Sequence, residues 1–310
     1  MELLAWDMQG NLYHDLQIME VQAVWQCGSP AAALHVEADC IESPPQLLQV
    51  QWVIEGMVRF SGLVDSMKVK ESVLGVQLVL EARTNGLYLL DNEALPAVYP
   101  SISLKAFAEH YFTAYRLFSF GFSPEGYTAS YTVRKGMSDW EAISGFVAAC
   151  CGRRPYLDEQ NCLQLLPRKG KQWEVSNKKS GAVWFSSMER KIDRSAVLSK
   201  VLVRDAQGYY PTEIKNPQAA ELKIRRKRYW IPPSQYEDGR SSPQEMIENS
   251  MAEMLRVTVE IPDITEIRIG DTIRLDSGEE LSVLAVQLSW DGVYCSKLTL
   301  ADKSYAYLYG

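Results

Sequence analysis

Histidine is scarce in this chain: His14, His35 and His110 are its three copies. So few, so far apart in sequence, give no basis for a catalytic triad or a histidine-bound zinc. A basic surplus is missing too. The 32 Lys and Arg fall short of the 39 Asp and Glu, for a formal net charge of −7, which argues against a protein that coats duplex DNA. No apolar run approaches the roughly 20 residues that cross a bilayer as a helix. The opening Met1-Glu2-Leu3-Leu4-Ala5-Trp6-Asp7 has neither a basic nor an apolar leader segment, so the expectation is a protein kept in the cytoplasm while it is made. GxSxG, HExxH, GxxxxGK[ST] and GxGxxG are all absent, which removes every strong motif for an enzyme. Cys27, Cys40, Cys150, Cys151, Cys162 and Cys295 make no CxxC pair. They read as buried reduced thiols, and a zinc site would need a cluster that only the fold could assemble. No metal and no cofactor are expected.

What is present is strand-like. A chain of 310 residues, 46% hydrophobic and 23% charged, is an ordinary folded protein of two or three domains. Residues 1–98 hold short strands and turns. Val50-Gln51-Trp52-Val53-Ile54 and Met57-Val58-Arg59-Phe60 flank Glu55-Gly56 as a hairpin. Residues 62–69 and 73–82 follow as separate strands. In the second, Val76, Leu78 and Leu80 face one way and Gln77, Val79 and Glu81 the other. This spacing points to a β-barrel or sandwich.

Residues 99–182 read as a small α/β insert. Ser101 is placed as the cap of a helix with Leu104, Phe107, Ala108, Tyr111, Phe112 and Tyr115 on one stripe. A strand over 127–133 leads to the capping box Ser138-Asp139-Trp140-Glu141 and a helix ending near Gly152. A hairpin turns at Glu159-Gln160-Asn161, and residues 171–182 read as a linker. Residues 183–310 form a second β-domain, with strands expected at 182–185, 199–205, 257–261, 272–275, 281–286 and 296–300. A helical excursion over about 209–256 interrupts it. Its part from 209 to 235 reads as irregular, and its helix is capped by Ser242, Pro243 and Glu245 with Ile247, Met251, Met254 and Leu255 on one face. The fold class is therefore mainly β: two β-barrel domains plus a small α/β domain.

Candidate chemistry is thin. Asp263 and Glu266, or Glu279 and Glu280, are the carboxylates that most resemble an acid–base pair, yet none stands out by context and solvated surface is the preferred reading. The sharpest charge feature is Lys223-Ile224-Arg225-Arg226-Lys227-Arg228-Tyr229-Trp230. Its cations and aromatics suit a nucleic-acid backbone, an acidic neighbour or a subunit contact. Lys223, Arg225, Arg226, Lys227, Arg228, Tyr229 and Trp230 are taken as a candidate assembly interface. Residues 131–143, a strand, a basic-Gly turn and a capped helix with Trp140, look like the opening of a glycan-binding LysM module.

The layout resembles the hub proteins at the centre of phage tail baseplates, the late control protein D or Mu-type hubs. Three stretches carry the resemblance. Phe60-Ser61-Gly62-Leu63-Val64, followed by residues 75–83 and Tyr88-Leu89-Leu90-Asp91, is similar to the strand and turn closing a first barrel. Residues 133–143 with Cys162-Leu163-Gln164-Leu165-Leu166-Pro167 are similar to the family's small insert. The helix capped by Ser242, with residues 257–300 and Gly270-Asp271-Thr272-Ile273, looks like the helix and second barrel.

The resemblance implies a non-enzymatic structural subunit. Such hubs are homotrimers whose two similar, tail-tube-like barrels per chain make a ring of six, matching a sixfold tail tube above and a threefold spike below. Expected partners are the chain itself, a tail tube protein and a central spike protein, with a tape-measure protein or DNA passing through the channel, and no membrane insertion. The expected place is the bacterial cytoplasm during assembly, then a virion, tailocin or contractile injection system. Larger hubs carry a fused lysozyme, and no lytic activity is expected here. Alternatives are a cell-wall-binding LysM-like module and a hydrolase without a motif.

Overall fold

The computed structural model describes residues 1–73, 75–167, 170–232 and 242–304. The chain divides into two compact units. The first comprises Met1–Arg168, Glu260–Ile269 and Ala285–Leu298; the second comprises Lys169–Val259, Gly270–Leu284 and Thr299–Gly310.

The first unit opens with β1 (Glu2–Asp7), β2 (Leu12–Tyr13), β3 (Leu16–Gln26), β4 (Ala33–Cys40), β5 (Leu47–Ile54), β6 (Met57–Ser72) and β7 (Gly75–Arg83). They join in one antiparallel sheet, ordered β3-β4-β7-β6-β5-β1-β2. Strict alternation drives it. Leu34, Val36, Ala38 and Cys40 of β4 are buried, in register with Ala82, Leu80, Leu78 and Val76 of β7. A one-residue slip would expose them all. At the β5–β6 hairpin, Glu55 and Gly56 both take positive φ, 52° and 76°, the two-residue turn that matches strand twist. The sequence reading divides β6 near Gly62; the strand instead runs unbroken to Ser72. Gly62 marks a close approach, since a Cβ there would lie 2.3 Å from the Arg83 carbonyl oxygen. Leu74, placed in the next expected strand, lies outside the described residues.

The same unit contains α1 (Leu87–Asp91), β8 (Ala97–Ser103), α2 (Leu104–Tyr111), β9 (Ser119–Phe120), β10 (Thr128–Val133), α3 (Asp139–Cys151), β11 (Arg154–Leu157) and β12 (Cys162–Leu166). Their core is aromatic: Phe107 stacks on Phe146 at 4.2 Å, and Tyr131 meets both edge-on. Leu104, Phe107, Ala108 and Tyr111 of the expected stripe are buried on α2, which ends at Tyr111 so that Phe112 and the half-buried Tyr115 follow it; the cap is Ser103, whose hydroxyl accepts from the Ala106 N–H at 3.2 Å. Ser101 lies in β8 because the strand pairs with β10 as far as Ser103. The capping box of Ser138 and Glu141 is complete, and Gly152 ends α3 in a left-handed conformation.

The second unit adds β13 (Gln172–Val175), β14 (Ser187–Ile192), β15 (Lys200–Val203), β16 (Thr212–Lys215), α4 (Pro217–Glu221), β17 (Lys227–Trp230), α5 (Pro243–Ala252), β18 (Leu255–Ile261), β19 (Thr272–Leu275), β20 (Glu280–Trp290) and β21 (Tyr294–Asp302). Strands β18, β20 and β21 have residues in both units. Residues Ala285 to Trp290 of β20 pair with Gln26 to Val21 of β3 in the first unit.

Four expectations are corrected here. Residues 172–175 are not linker: β13 pairs parallel with β19, and buried Asp271 holds it by accepting from the Lys171 N–H at 3.0 Å and the Trp173 indole at 2.9 Å. The strand expected at 182–185 reduces to one bridge at Val183, and β14 follows it with all six residues exposed. The stretch from 209 is ordered, with β16, α4 and β17 in succession; residues 233–235 lie outside the described residues. Helix α5 has its expected capping box and buries Ile247 and Met251, but ends at Ala252, so Leu255 belongs to β18.

Candidate functional site

Strands β16, β15 and β17 form a three-stranded sheet that carries the end of the cation-rich segment. Local chemistry leads the chain into it. The Asn216 side chain caps α4 by accepting from Gln218 and Ala219, while its amide donates to the Leu198 carbonyl at 2.9 Å. Lys223 then turns with φ of 57°, and Ile224 packs against Val197, Ala219 and Met251. The Arg226 carbonyl accepts from the Ser199 N–H and hydroxyl, and its guanidinium donates to the Arg194 carbonyl at 2.7 Å. These bonds register β17 parallel to β15.

That register sorts the predicted residues. Lys223, Arg225, Arg226, Lys227, Arg228 and Tyr229 are exposed. Trp230 is half-buried against Leu198, Val201 and Ile247. Because β17 alternates, Arg228 and Trp230 share the face turned to α5, and Lys227 and Tyr229 lie on the other. On that outer face Lys200 pairs with Lys215 on one side and Lys227 on the other, so three lysines cross three strands in one row. Glu213 reaches back to Lys200 at 2.5 Å and stands 3.9 Å from Lys215. The Lys200 hydrogen bond, with the charges of Lys200, Lys215 and Lys227, holds its carboxyl below the usual range. Lys227 lies 5.3 Å over the Tyr229 ring, which Tyr210 meets edge-on at 4.9 Å. The sequence reading missed Lys200 and Lys215, which come together only through strand register.

A face of opposite sign lies on the first unit. The outer residues of β3, β4 and β7 place Glu20 opposite Glu37, and His35 between Gln22 and Glu81. His35 is 2.7 Å from Glu81 and 3.5 Å from Glu37. Partial burial pushes the imidazole down, but the hydrogen bonds and charges of Glu81 and Glu37 outweigh it, and its net shift is upward. His14 and His110 are exposed.

The carboxylates singled out in sequence serve other partners. Glu266 pairs with Arg59 at 2.7 Å, Glu279 with Arg190, and Glu280 with Lys303 at 2.8 Å. Asp263 accepts from the Ile264 N–H. A cleft of about 260 Å³ in the first unit is lined by Trp25, Arg59, Phe60, Asn85, Asp158 and Glu159 among others. Asp158 there is spent on the Gln160 and Cys162 N–H groups and the Gln164 amide. Among the described residues no three His, Cys, Asp or Glu could share a metal ion, and no helix is long and apolar enough to cross a membrane. Trp140, the aromatic of the LysM-like stretch, is 5% exposed.

Neither a protein-family model nor a curated protein matches the sequence. Solved structures do. The 43 kDa tail protein of prophage MuSo2 from Shewanella oneidensis matches with a TM-score of 0.78 at 12% identity, over 99% of each chain. The tail protein from Neisseria meningitidis MC58 matches with a TM-score of 0.73 at 12% identity, over 98% of this chain and 97% of that one. An E. coli component of the type VI secretion system, described as structurally similar to the T4 bacteriophage tail proteins gp27 and gp5, matches at 0.58 and 11% identity, over 100% of this chain and 79% of that one. The chain therefore has the mainly-β fold of phage tail proteins along almost its whole length.

Proposed function

We propose that this chain is a non-enzymatic structural subunit, a baseplate hub of a phage-tail-like particle that forms a trimeric ring between tail tube and central spike. The likeness over 98–99% of this chain to tail proteins of matching length carries the reading. The likeness to a type VI component described as similar to gp27 and gp5 supports a place at the tail's central end. In this reading residues 1–98 and 183–310 are two barrel-like domains, residues 99–182 the insert between them, and the cations of 223–230 an assembly surface. Assembly takes place in the bacterial cytoplasm, and a tape-measure protein or DNA passes through the ring. Light scattering on the purified chain tests it. A stable particle of three times the 35.1 kDa chain mass is expected, and its electron-microscopy reconstruction should show sixfold density on the tube side and threefold density on the spike side. A chain that stays monomeric at all concentrations and is retained by purified cell walls would overturn the reading.

A further inference from the structure

Two faces of this molecule carry like charges that its own fold leaves under-compensated. The first is the row Lys215–Lys200–Lys227, where one carboxylate, Glu213, stands among three ammonium groups. The second is on β3, β4 and β7, where Glu20 faces Glu37 directly, Asp39 and Glu81 share the surface, and His35 is the group between them; Lys68 and Lys70 of β6 bound it on one side. Like charges directly opposite across strands destabilise a sheet. Neither row supplies the main core contacts of its strands: Val201 of β15 packs with Leu198 and Ile247 on the other face, and the buried Val21, Ala23, Leu34, Val36, Leu78 and Leu80 of β3, β4 and β7 lie opposite the carboxylates.

The imbalance extends beyond the rows. Residues 194–232 hold nine Lys and Arg against three Asp and Glu, six positive charges net; the rest of a chain of −7 is therefore −13. We infer that the lysine row of one copy docks on the Glu20–Glu37–Glu81 face of a second copy. The inference rests on the hub reading, since it requires copies to meet. A contact between unlike faces is heterologous: it leaves a free face at each end and closes only as a ring. Exposed ion pairs are individually weak, so the contact works as a network and is sensitive to salt. Tyr229, 53% exposed and packed between Lys227 and Tyr210, gives the same surface an aromatic anchor.

The test begins with the unaltered protein. Unlabelled and nitrogen-15-labelled chains are mixed, assembled and joined with a zero-length carbodiimide. Mixed-isotope peptides linking Lys200, Lys215 or Lys227 to Glu20, Glu37, Asp39 or Glu81 are expected. Intermolecular links confined to other surfaces overturn the pairing. Charge reversal follows, with each variant's fold read by its thermal melt. Lys215→Glu with Lys227→Glu, or Glu20→Lys with Glu37→Lys, should each weaken assembly roughly tenfold or more. Carrying both reversals in one chain, so that every contact in a ring of three again joins unlike charges, should restore it, and between about 0.05 M and about 0.5 M salt the unaltered protein should lose much of its association. If the protein assembles and neither reversal matters, the pairing fails while the hub reading stands. A protein that never assembles removes both. Duplex DNA held by the same lysines, with self-assembly unchanged by their reversal, would reassign the face to nucleic acid and overturn the proposal.

Discussion

Trp140 donates its indole N–H to the carbonyl of Gly28 at 2.8 Å, across 112 residues of sequence. The bond ties the first turn of α3 to the turn that follows β3 within the first unit. It also uses the polar edge of a ring that the sequence alone would allow to stack on a sugar. Trp140→Ala should therefore destabilise the protein by about 3–5 kcal/mol in chemical unfolding. Trp140→Phe, which keeps an apolar ring but orphans the Gly28 carbonyl, should cost about 1 kcal/mol. Peptidoglycan binding that disappears in a stably folded Trp140→Ala protein would contradict the core role.

Asp139, the next residue back, is buried at 6% exposure. Burial pushes its carboxyl up, against the hydrogen bond from the Tyr115 hydroxyl. The same burial, with the Asp139 bond, pushes the Tyr115 phenol up to about 12. A carboxyl whose pKa is higher in the folded state favours folding most fully below its unfolded pKa, about 4, and the advantage fades as pH rises through the folded value. Asp139→Asn keeps an acceptor for Tyr115 without the buried charge. Its stability relative to the natural chain should rise between about pH 3.5 and about pH 7, as read by urea midpoints. A constant difference across that range would refute the assignment.

Arg83 sits between Asp65 and Asp91, with its Nε 2.5 Å from Asp65 and its Nη2 2.7 Å from Asp91. The hydrogen bond from Arg83 holds the Asp91 carboxyl below its ordinary value. Stabilisation from a lowered carboxyl is present above the unfolded pKa and disappears as pH falls through the folded one. Asp91→Asn should therefore be less stable than the natural chain near neutrality, by a modest amount because the pair is half exposed, and the gap should close in acid. Arg83→Lys, which cannot fork to both carboxylates, should lose stability in the same direction.

In the second unit, Asp271→Ala leaves the Lys171 N–H and the Trp173 indole without their carboxylate. Each orphaned donor should cost about 1–3 kcal/mol. The loss should be local first: amide exchange in β13 should accelerate before exchange in β15 does. Equal acceleration in both strands would show that Asp271 does not pin β13.

What could be read from the sequence was what is decided within a few residues. Ser138 with Glu141, and Ser242 with Glu245, form capping boxes because cap and partner are one turn apart. The β4 and β7 alternation is equally local. What could not be read depends on distant partners. β13 looks like a linker because its flanks are rich in Lys, Ser and Asn; it is a strand because residues 272–275 lie beside it. The cation run at 223–230 was visible as composition. Its division into Lys227 and Tyr229 on one face and Arg228 and Trp230 on the other, and the recruitment of Lys200 and Lys215, follow from register, which charge patterning does not encode.

The pairing of β3 with β20 has a consequence for synthesis. Residues 21–26 leave the ribosome well ahead of their partners at 285–290, with more than half of this sequence between them. At about 5–20 residues per second the wait is on the order of tens of seconds. During it β3 is an open strand edge, able to pair with other nascent chains. The nascent protein therefore has a long window in which it benefits from a chaperone, and its yield in cells should respond to translation speed over residues 27–290, which sets that wait.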